Sequence, residues 1–305
     1  MTIVPPAPDE PRRPTGVRDP GDAWVVAPSG ERYWGRFGAA GLLAFDADRG
    51  VLLQHRVSWS HFGGTWGLPG GALHEGEGAI VGALREAQEE AGVPDGAVRA
   101  RFTSVLDLDV WSYTTVVADV AEAFDPVISD PESVALEWVP VDEVAERPLH
   151  PGFASAWPHL RALLDERAVV VVDSANVVGS VPDGWWKDRA GATGRLLSRL
   201  DGLAVPASDL GFGVTEWFPD VALVVEGTAR AVAAGAAHDA VAVVQAEAAG
   251  DDAIVDEAER RVAAGERVVA VTSDRELTER LHGVGVASVR SAGWLRALLD
   301  APAPR

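Results

Sequence analysis

The chain has 305 residues, 47% of them hydrophobic and 24% charged, with 32 Gly and 20 Pro. That length divides into about two domains, and that composition suits packed cores rather than wholesale disorder. A net charge of −20, from 26 basic and 46 acidic residues, has the wrong sign for loose binding to nucleic acid, so such a ligand needs a local basic patch. The absence of cysteine excludes a disulfide framework, a thiolate-ligated metal site and a thiol nucleophile. The first residues, MTIVPPAPDEPRRPTGVRDPGD, lack the apolar stretch of a signal peptide, and no apolar run approaches the ~20 residues of a membrane span. A cytoplasmic protein without membrane attachment is expected.

Residues 1–22, rich in Pro, Arg and Asp, cannot cover a core and are predicted to form a tail, with order beginning near Trp24. Apolar runs bounded by turn signals predict strands at Ala39–Phe45, Val51–His55, Val98–Leu106 and Tyr113–Val120, with one helix over about Gly78–Ala91. A further helix, Phe153 to Arg167, closes this half, so the domain runs over 23–166 and its sheet is of mixed type. The second domain, 167–299, changes rhythm. Ala168–Val172, Val221–Val225, Ala240–Val244, Val268–Val271 and Val286–Val289 are short Val-rich runs separated by helix-length segments. Continuous apolar runs suit strands buried on both faces, which predicts a doubly wound parallel α/β sheet with ligands at the strand C-termini. Residues 300–305 form a second tail.

Residues 71–93, GALHEGEGAIVGALREAQEEAGV, place Glu86, Glu89 and Glu90 on one face of the first helix by their spacings of three and four. Such a run also suits an ordinary solvated helix face. Three carboxylates on one face repel each other unless a cation sits among them, and all-oxygen ligands suit Mg²⁺ or Mn²⁺. Arg85 can reach Glu89 and, backwards, Glu77, so it braces the loop and orients the acids. Gly70 and Gly71 let backbone carbonyls approach the same ion, and Gly92 ends the helix.

The full spacing resembles the Nudix box: a glycine, five residues, a glutamate, seven residues, then Arg-Glu-x-x-Glu-Glu-x-Gly and an aliphatic residue. Gly71, Glu77, Arg85, Glu86, Glu89, Glu90, Gly92 and Val93 stand at those positions, and the likeness extends through Thr65–Gly71 and Glu137–Val144. The resemblance implies an α/β/α sandwich and a Nudix hydrolase that splits a diphosphate linked to a nucleoside. It implies Arg85, Glu86, Glu89 and Glu90 as catalytic residues, and a metal held by the three glutamates and Gly71. An acidic pocket accepts so anionic a substrate only through bridging cations. The general base and the substrate-binding residues stay open, with Arg36, Arg56, His61, Phe62, Trp66, Arg101 and Trp111 able to stack on a ring or hold a phosphate.

In the second half Asp173 closes AVVVVD, Glu226 closes VALVVEG, Asp251 and Asp252 open a helix, and Asp274 follows VVAVTS. These acids gather where a doubly wound sheet carries its site, although Asp251, Asp252 and Asp274 also suit helix caps. The stretches VVDSANVVGS, GDDAIVDEAERR and VTSDREL resemble a PIN-like domain of the NYN type, a nuclease fold acting on RNA. That likeness implies a second Mg²⁺ or Mn²⁺ site at Asp173, Asn176, Asp252 and Asp274, with Glu226 and Asp251 as further candidates. Trp185, Trp186, Lys187 and Arg189 form an aromatic and basic cluster able to stack on single-stranded RNA or simply to pack. Three functions remain open: a Nudix pyrophosphohydrolase, a bifunctional enzyme of RNA metabolism, or a hydrolase with a binding or oligomerisation module.

Overall fold

The computed structural model describes residues 19–182, 184–234 and 240–301. The chain divides into two compact units, the first ending at Leu164 and the second starting at Asp165. The tails expected at 1–18 and 302–305 lie outside the described residues. Residues 19–22 belong to the folded unit, contrary to the expected tail. Asp22 N–H donates to the Asp19 carbonyl at 2.9 Å, and a Cβ on Gly21 would meet the Leu73 carbonyl oxygen at 2.3 Å.

The first unit starts with the hairpin β1 (Trp24–Val26) and β2 (Arg32–Trp34). It continues through β3 (Ala39–Asp46), β4 (Gly50–Arg56), β5 (Trp66–Gly67), β6 (Gly70–Ala72), α1 (Ala79–Ala91), β7 (Val98–Asp107), β8 (Ser112–Val120), β9 (Ser133–Val139) and α2 (Pro151–Ala162). Its sheet runs β7, β8, β3, β4, β5, with β6 paired to β3 and β9 to β4. Only the β3–β8 pairing is parallel among those described in this sheet, so the sheet is mixed, as expected. Ala83, Ala87 and Ala91 recur every four residues and are fully buried against Ala40, Leu42 and Ala44 of β3. This alanine stripe brings α1 close to the sheet and leaves Glu86 and Glu90 flanking it towards β6, with Glu89 on the exposed side. The short β5 and β6 escape periodicity because Gly, Leu and Pro there show no alternation.

The helix expected over Phe153–Arg167 ends at Ala162, because the Leu164 carbonyl accepts from the Arg101 guanidinium and the chain must straighten before Ala168. Its start is well made: Pro151 occupies the first turn and His150 Nδ1 accepts from Gly152 N–H at 3.2 Å.

The second unit contains β10 (Ala168–Asp173), α3 (Ser174–Gly179), α4 (Arg189–Leu200), β11 (Val205–Pro206), β12 (Glu216–Trp217), β13 (Asp220–Val225), β14 (Val241–Gln245), α5 (Gly250–Ala263), β15 (Arg267–Val271), α6 (Arg275–Gly283), β16 (Ser288–Arg290) and α7 (Ala292–Asp300). Asp300, expected in the tail, closes α7 and pairs with Arg199 at 2.5 Å. β11 and β12 form a small antiparallel ribbon. The main sheet is parallel throughout, in the order β14, β13, β10, β15, β16. β10 is buried at every position, which explains why its valines do not alternate with polar residues; each such side chain contributes roughly 1.5–3 kcal/mol. Ile254 and Ala258 of α5 and Leu277 and Leu281 of α6 pack on Val169, Val171, Ala222 and Ala270. Chain direction across the sheet reverses between β10 and β15, the place where such sheets bind ligands.

The His150 cap gives the first unit a pH dependence. Burial, aided by the positive charge of Arg56, holds the imidazole pKa down at about 4, so the folded state keeps His150 neutral while the unfolded chain takes up a proton at about 6.5. The stabilisation is therefore complete above about pH 6.5 and is lost as the pH falls towards 4. Melting curves of the wild type and His150→Asn, which keeps a capping side chain without the titration, should converge in this window as the wild type loses stability. Parallel curves would refute the assignment.

Candidate active site and metal centre

Arg85 organises the first unit's site. Its Nε and Nη2 donate to the two carboxylate oxygens of Glu77, each at 2.9 Å, while Nη1 donates to Glu86 at 2.8 Å and to Glu89 at 3.2 Å. Nη2 also reaches the Ala72 carbonyl at 3.0 Å. One planar guanidinium thus ties the loop before α1 to the acidic face of α1. Its hydrogen bonds hold the Glu77 carboxyl below its usual range, against the effect of burial. Glu77 in turn accepts from His74 N–H at 3.0 Å, so Glu77 is held both by the loop backbone and by Arg85.

Burial pushes the Glu86 carboxyl up to about 7, against the opposing pull of Arg85. It pushes Glu90, only 6% exposed, up to about 8. Glu90 accepts from Gly70 N–H at 2.8 Å, whereas Glu89 projects outward and is 58% exposed. The three glutamates do not stand as a preformed cage: among the described residues no three acidic or histidine side chains adopt metal-ligand geometry. The reason is that Arg85 draws Glu86 and Glu89 while the Gly70 amide holds Glu90.

The donor set nevertheless fits a hard divalent cation. Two desolvated carboxylates whose neutral forms are favoured are groups that a cation would return to the charged state. A Cβ on Gly71 would lie 2.6 Å from the Glu86 carboxyl carbon, so only glycine leaves its backbone open to that carboxylate. Gly70 is equally constrained, its Cβ falling 2.5 Å from Gly41 Cα.

Of the candidates for gripping substrate, Arg101 is structural. It is 4% exposed and pairs with Asp119 at 2.8 Å and with the Leu164 carbonyl. Trp66 is packed between His55, whose ring stacks at 4.8 Å, and the Arg147 guanidinium at 4.9 Å. Trp111 stacks on Tyr33 at 4.9 Å and donates to the Trp34 carbonyl at 2.9 Å, and Arg36 lies on the surface 5.6 Å from the Phe37 ring. His61 and Phe62 join His150, with ring separations of 4.2 Å (His61–Phe62) and 4.8 Å (Phe62–His150). Phe62 sits at the loop tip with φ of 54°, nearly half exposed. Arg56 connects this cluster to the acids. A Cβ on Gly67 would touch both His150 Cβ at 3.5 Å and Arg56 Cδ at 3.9 Å, and the Arg56 charge acts on Glu90, His61 and His150 alike.

Sequence reasoning missed His150, Tyr113 and Asp130, which reach the site only through tertiary contact. Burial pushes Asp130 up to about 6, with Glu132 and Glu89 nearby and Arg56 opposing. No motif marks any of the three.

In the second unit a cavity of about 200 Å³ is lined by Asp173, Asn176, Glu226, Asp251 and Asp274. Asp173, 8% exposed, accepts from Asn176 N–H at 3.0 Å and from the Thr272 hydroxyl at 2.9 Å, and burial raises its pKa. Burial, with Asp274 nearby, also raises Asp251. Asn176 Oδ1 accepts from Ser273 N–H at 3.0 Å. Glu226 accepts from Gly250 N–H at 3.1 Å, and a Cβ on Gly250 would fall 2.6 Å from it. Asp274 both lines the cavity and caps α6 through Leu277 N–H. Asp252 is the exception among the expected ligands. It is 65% exposed, pairs with Arg280 at 2.6 Å and does not line the cavity, where the adjacent Asp251 stands instead. Arg189 lies over Trp185 at 5.0 Å, Trp186 is 59% exposed, and Lys187 is exposed beside it.

A NUDIX domain family model matches residues 35–162. The chain is 52% identical over 155 residues to putative 8-oxo-dGTP diphosphatase 3 of Mycobacterium tuberculosis, covering 48% of this chain and 71% of the relative. It is 41% identical over 160 residues to a nucleoside triphosphate pyrophosphatase/Nudix hydrolase fusion protein of Bifidobacterium longum, covering 50% of this chain and 33% of the relative. The crystal structure of RenU, a Nudix hydrolase from M. smegmatis, is 47% identical and aligns with 47% of this chain and 94% of its own at a TM-score of 0.43.

The glycine cradle is directly testable. Gly71→Ala places its methyl group against the flexible end of Glu86, so the carboxylate moves while the sheet survives. Turnover should fall at least about 10-fold, as expected when a ligand's orientation is disturbed, with an unchanged circular dichroism spectrum. Full turnover would show that the Glu86 position is immaterial.

Proposed function

The chain belongs to the NUDIX domain family, and from that premise we propose that this Nudix hydrolase splits the diphosphate linkage of a nucleoside di- or triphosphate or a nucleoside-diphosphate derivative, with Mg²⁺ or Mn²⁺. The observation that carries this reading is the Arg85 clamp, which holds Glu86 beside the bare backbone of Gly71 while Glu90 is fixed at Gly70. Glu86, Glu89, Glu90 and the Gly71 carbonyl would hold the ion. Bound there, it would offset the charge of the diphosphate and polarise the phosphoryl group. Arg85 keeps the carboxylates oriented, and Arg56 offers a second positive charge that acts on Glu90. Asp130, with its pKa near 6, suits the proton leaving the attacking water. Phe62, flanked by His61 and His150, offers a platform on which a base can stack. The name of the mycobacterial relative makes 8-oxo-dGTP the first substrate to test. A panel of 8-oxo-dGTP, dGTP, a dinucleoside polyphosphate, ADP-ribose and 5′-triphosphate RNA should reveal a metal-dependent activity that Glu90→Gln lowers by at least about 1000-fold, the equivalent of several kcal/mol. Full turnover by Glu90→Gln would sink the assignment.

A second reading is favoured by the acidic cavity of the second unit. Its acids lie at the C-terminal ends of β10, β13 and β15 and at the start of α5, and its all-oxygen donors suit Mg²⁺ or Mn²⁺. We infer a PIN-like domain that cleaves RNA by metal-dependent hydrolysis, which would make the chain bifunctional. Asp173→Asn should abolish cleavage of single-stranded RNA while leaving nucleotide hydrolysis intact. RNA that stays whole with either metal would leave the unit as a binding or oligomerisation module.

A further inference from the structure

Tyr113 belongs to no motif and takes no part in the Arg85 clamp, yet its hydroxyl lies over Gly41, the ladder neighbour of the Gly70 amide that holds Glu90. It stands on β8 opposite Ala39 of β3, and its ring leans along the strands over Gly41. A Cβ built on Gly41 would stand 2.2 Å from the hydroxyl oxygen and 3.2 Å from the Pro69 carbonyl oxygen. Gly41 pairs with Gly70 in the β3–β6 ladder, and the Gly70 amide holds Glu90. The charges that act on the phenol are accordingly Arg56, Glu90 and Glu86.

The neighbouring polar groups are engaged: Glu90 by Gly70 N–H, Glu86 by Arg85, and the Pro69 carbonyl by Leu42 N–H at 2.9 Å. The Tyr113 hydroxyl makes no hydrogen bond to another of the described residues, and because Tyr113 is half-buried and its oxygen is not among the sealed, unpartnered atoms, the hydroxyl is open to a ligand from outside. Burial raises its pKa to about 12, so it remains a protonated donor at neutral pH. Packing does not explain the oxygen, since phenylalanine would fill the same space. A half-buried, neutral O–H donor with no protein partner in an acidic corner suits one kind of acceptor, an anionic oxygen brought in from outside. A lysine or arginine in its place would ion-pair with Glu86 or Glu90 and compete for the very carboxylates the reaction needs; a phenol does not.

We propose that Tyr113 is a substrate-contacting residue of the hydrolase, its hydroxyl donating to a non-bridging oxygen of the nucleotide diphosphate. Gly41 is then the residue that makes room for it. The assignment rests on the hydrolase reading above.

Steady-state hydrolysis of 8-oxo-dGTP, dGTP and dCTP with Mg²⁺, by the full chain, tests it. Tyr113→Phe should lose about 10- to 100-fold in kcat/KM, the usual range for a hydrogen bond to a charged group, with an unchanged melting temperature. The factor should be the same for every nucleotide turned over, because the contact is with the diphosphate rather than the base. Gly41→Ala, whose methyl group drives the hydroxyl aside, should lose a similar factor, and the double variant should lose no more than Tyr113→Phe alone. An active wild type beside an equally active Tyr113→Phe overturns the assignment, as do additive losses or a factor that changes with the base. A wild type inert towards these three and towards the dinucleoside polyphosphate, ADP-ribose and 5′-triphosphate RNA overturns the hydrolase reading itself, and this assignment with it.

Discussion

The first unit's site hangs on one charge. Arg85 is the positive group shared by Glu77, Glu86 and Glu89, and it is mostly buried, so its ion pairs are less screened than those of a surface pair. Removing the guanidinium would leave carboxylates facing each other in a partly dry corner, which is costlier than losing any single hydrogen bond. Because the same group also reaches the Ala72 carbonyl, the position of the acids and the position of the glycine-rich backbone are set together. The loop, the strand β6 and the helix α1 therefore behave as a single piece.

Close backbone approach is the second constraint. The alanine stripe of α1 lies flat on β3, and Gly70 against Gly41 lets β6 come in without side chains between them. That approach puts an amide within reach of Glu90 and leaves the gap over which Tyr113 lies. The electrostatic strain follows from the same packing. Carboxylates held this deep are reluctant to ionise, and among the described residues Arg85, Arg56 and one amide act to offset the charge. Such a corner is disposed towards a cation.

The second unit reaches an acidic cavity by a different route. Parallel strands point their C-termini the same way, so Asp173, Glu226 and Asp274, far apart in the chain, meet at one edge. Fine placement is then a matter of helix phase. Asp251 and Asp252 are adjacent in sequence but about 100° apart around α5, and that rotation turns one into the cavity and the other towards Arg280 on the surface.

The sequence alone determined what is local. Arg85, Glu86, Glu89 and Glu90 share a face because a helix repeats every 3.6 residues, and the all-valine interior of β10 betrays a strand buried on both sides. The two kinds of sheet were legible for the same reason. Tertiary structure decided what depends on strands far apart in the chain: Glu90 on the Gly70 amide, Tyr113 over Gly41, His150 beside Phe62, Arg101 spent on Asp119 and Leu164. It also chose Asp251 over Asp252, and it ended α2 at Ala162. Periodicity reports which residues can lie together along one element. Which groups meet across elements is set by register, by the depth to which glycine and alanine let backbones approach, and by the competition of each charge for its partners.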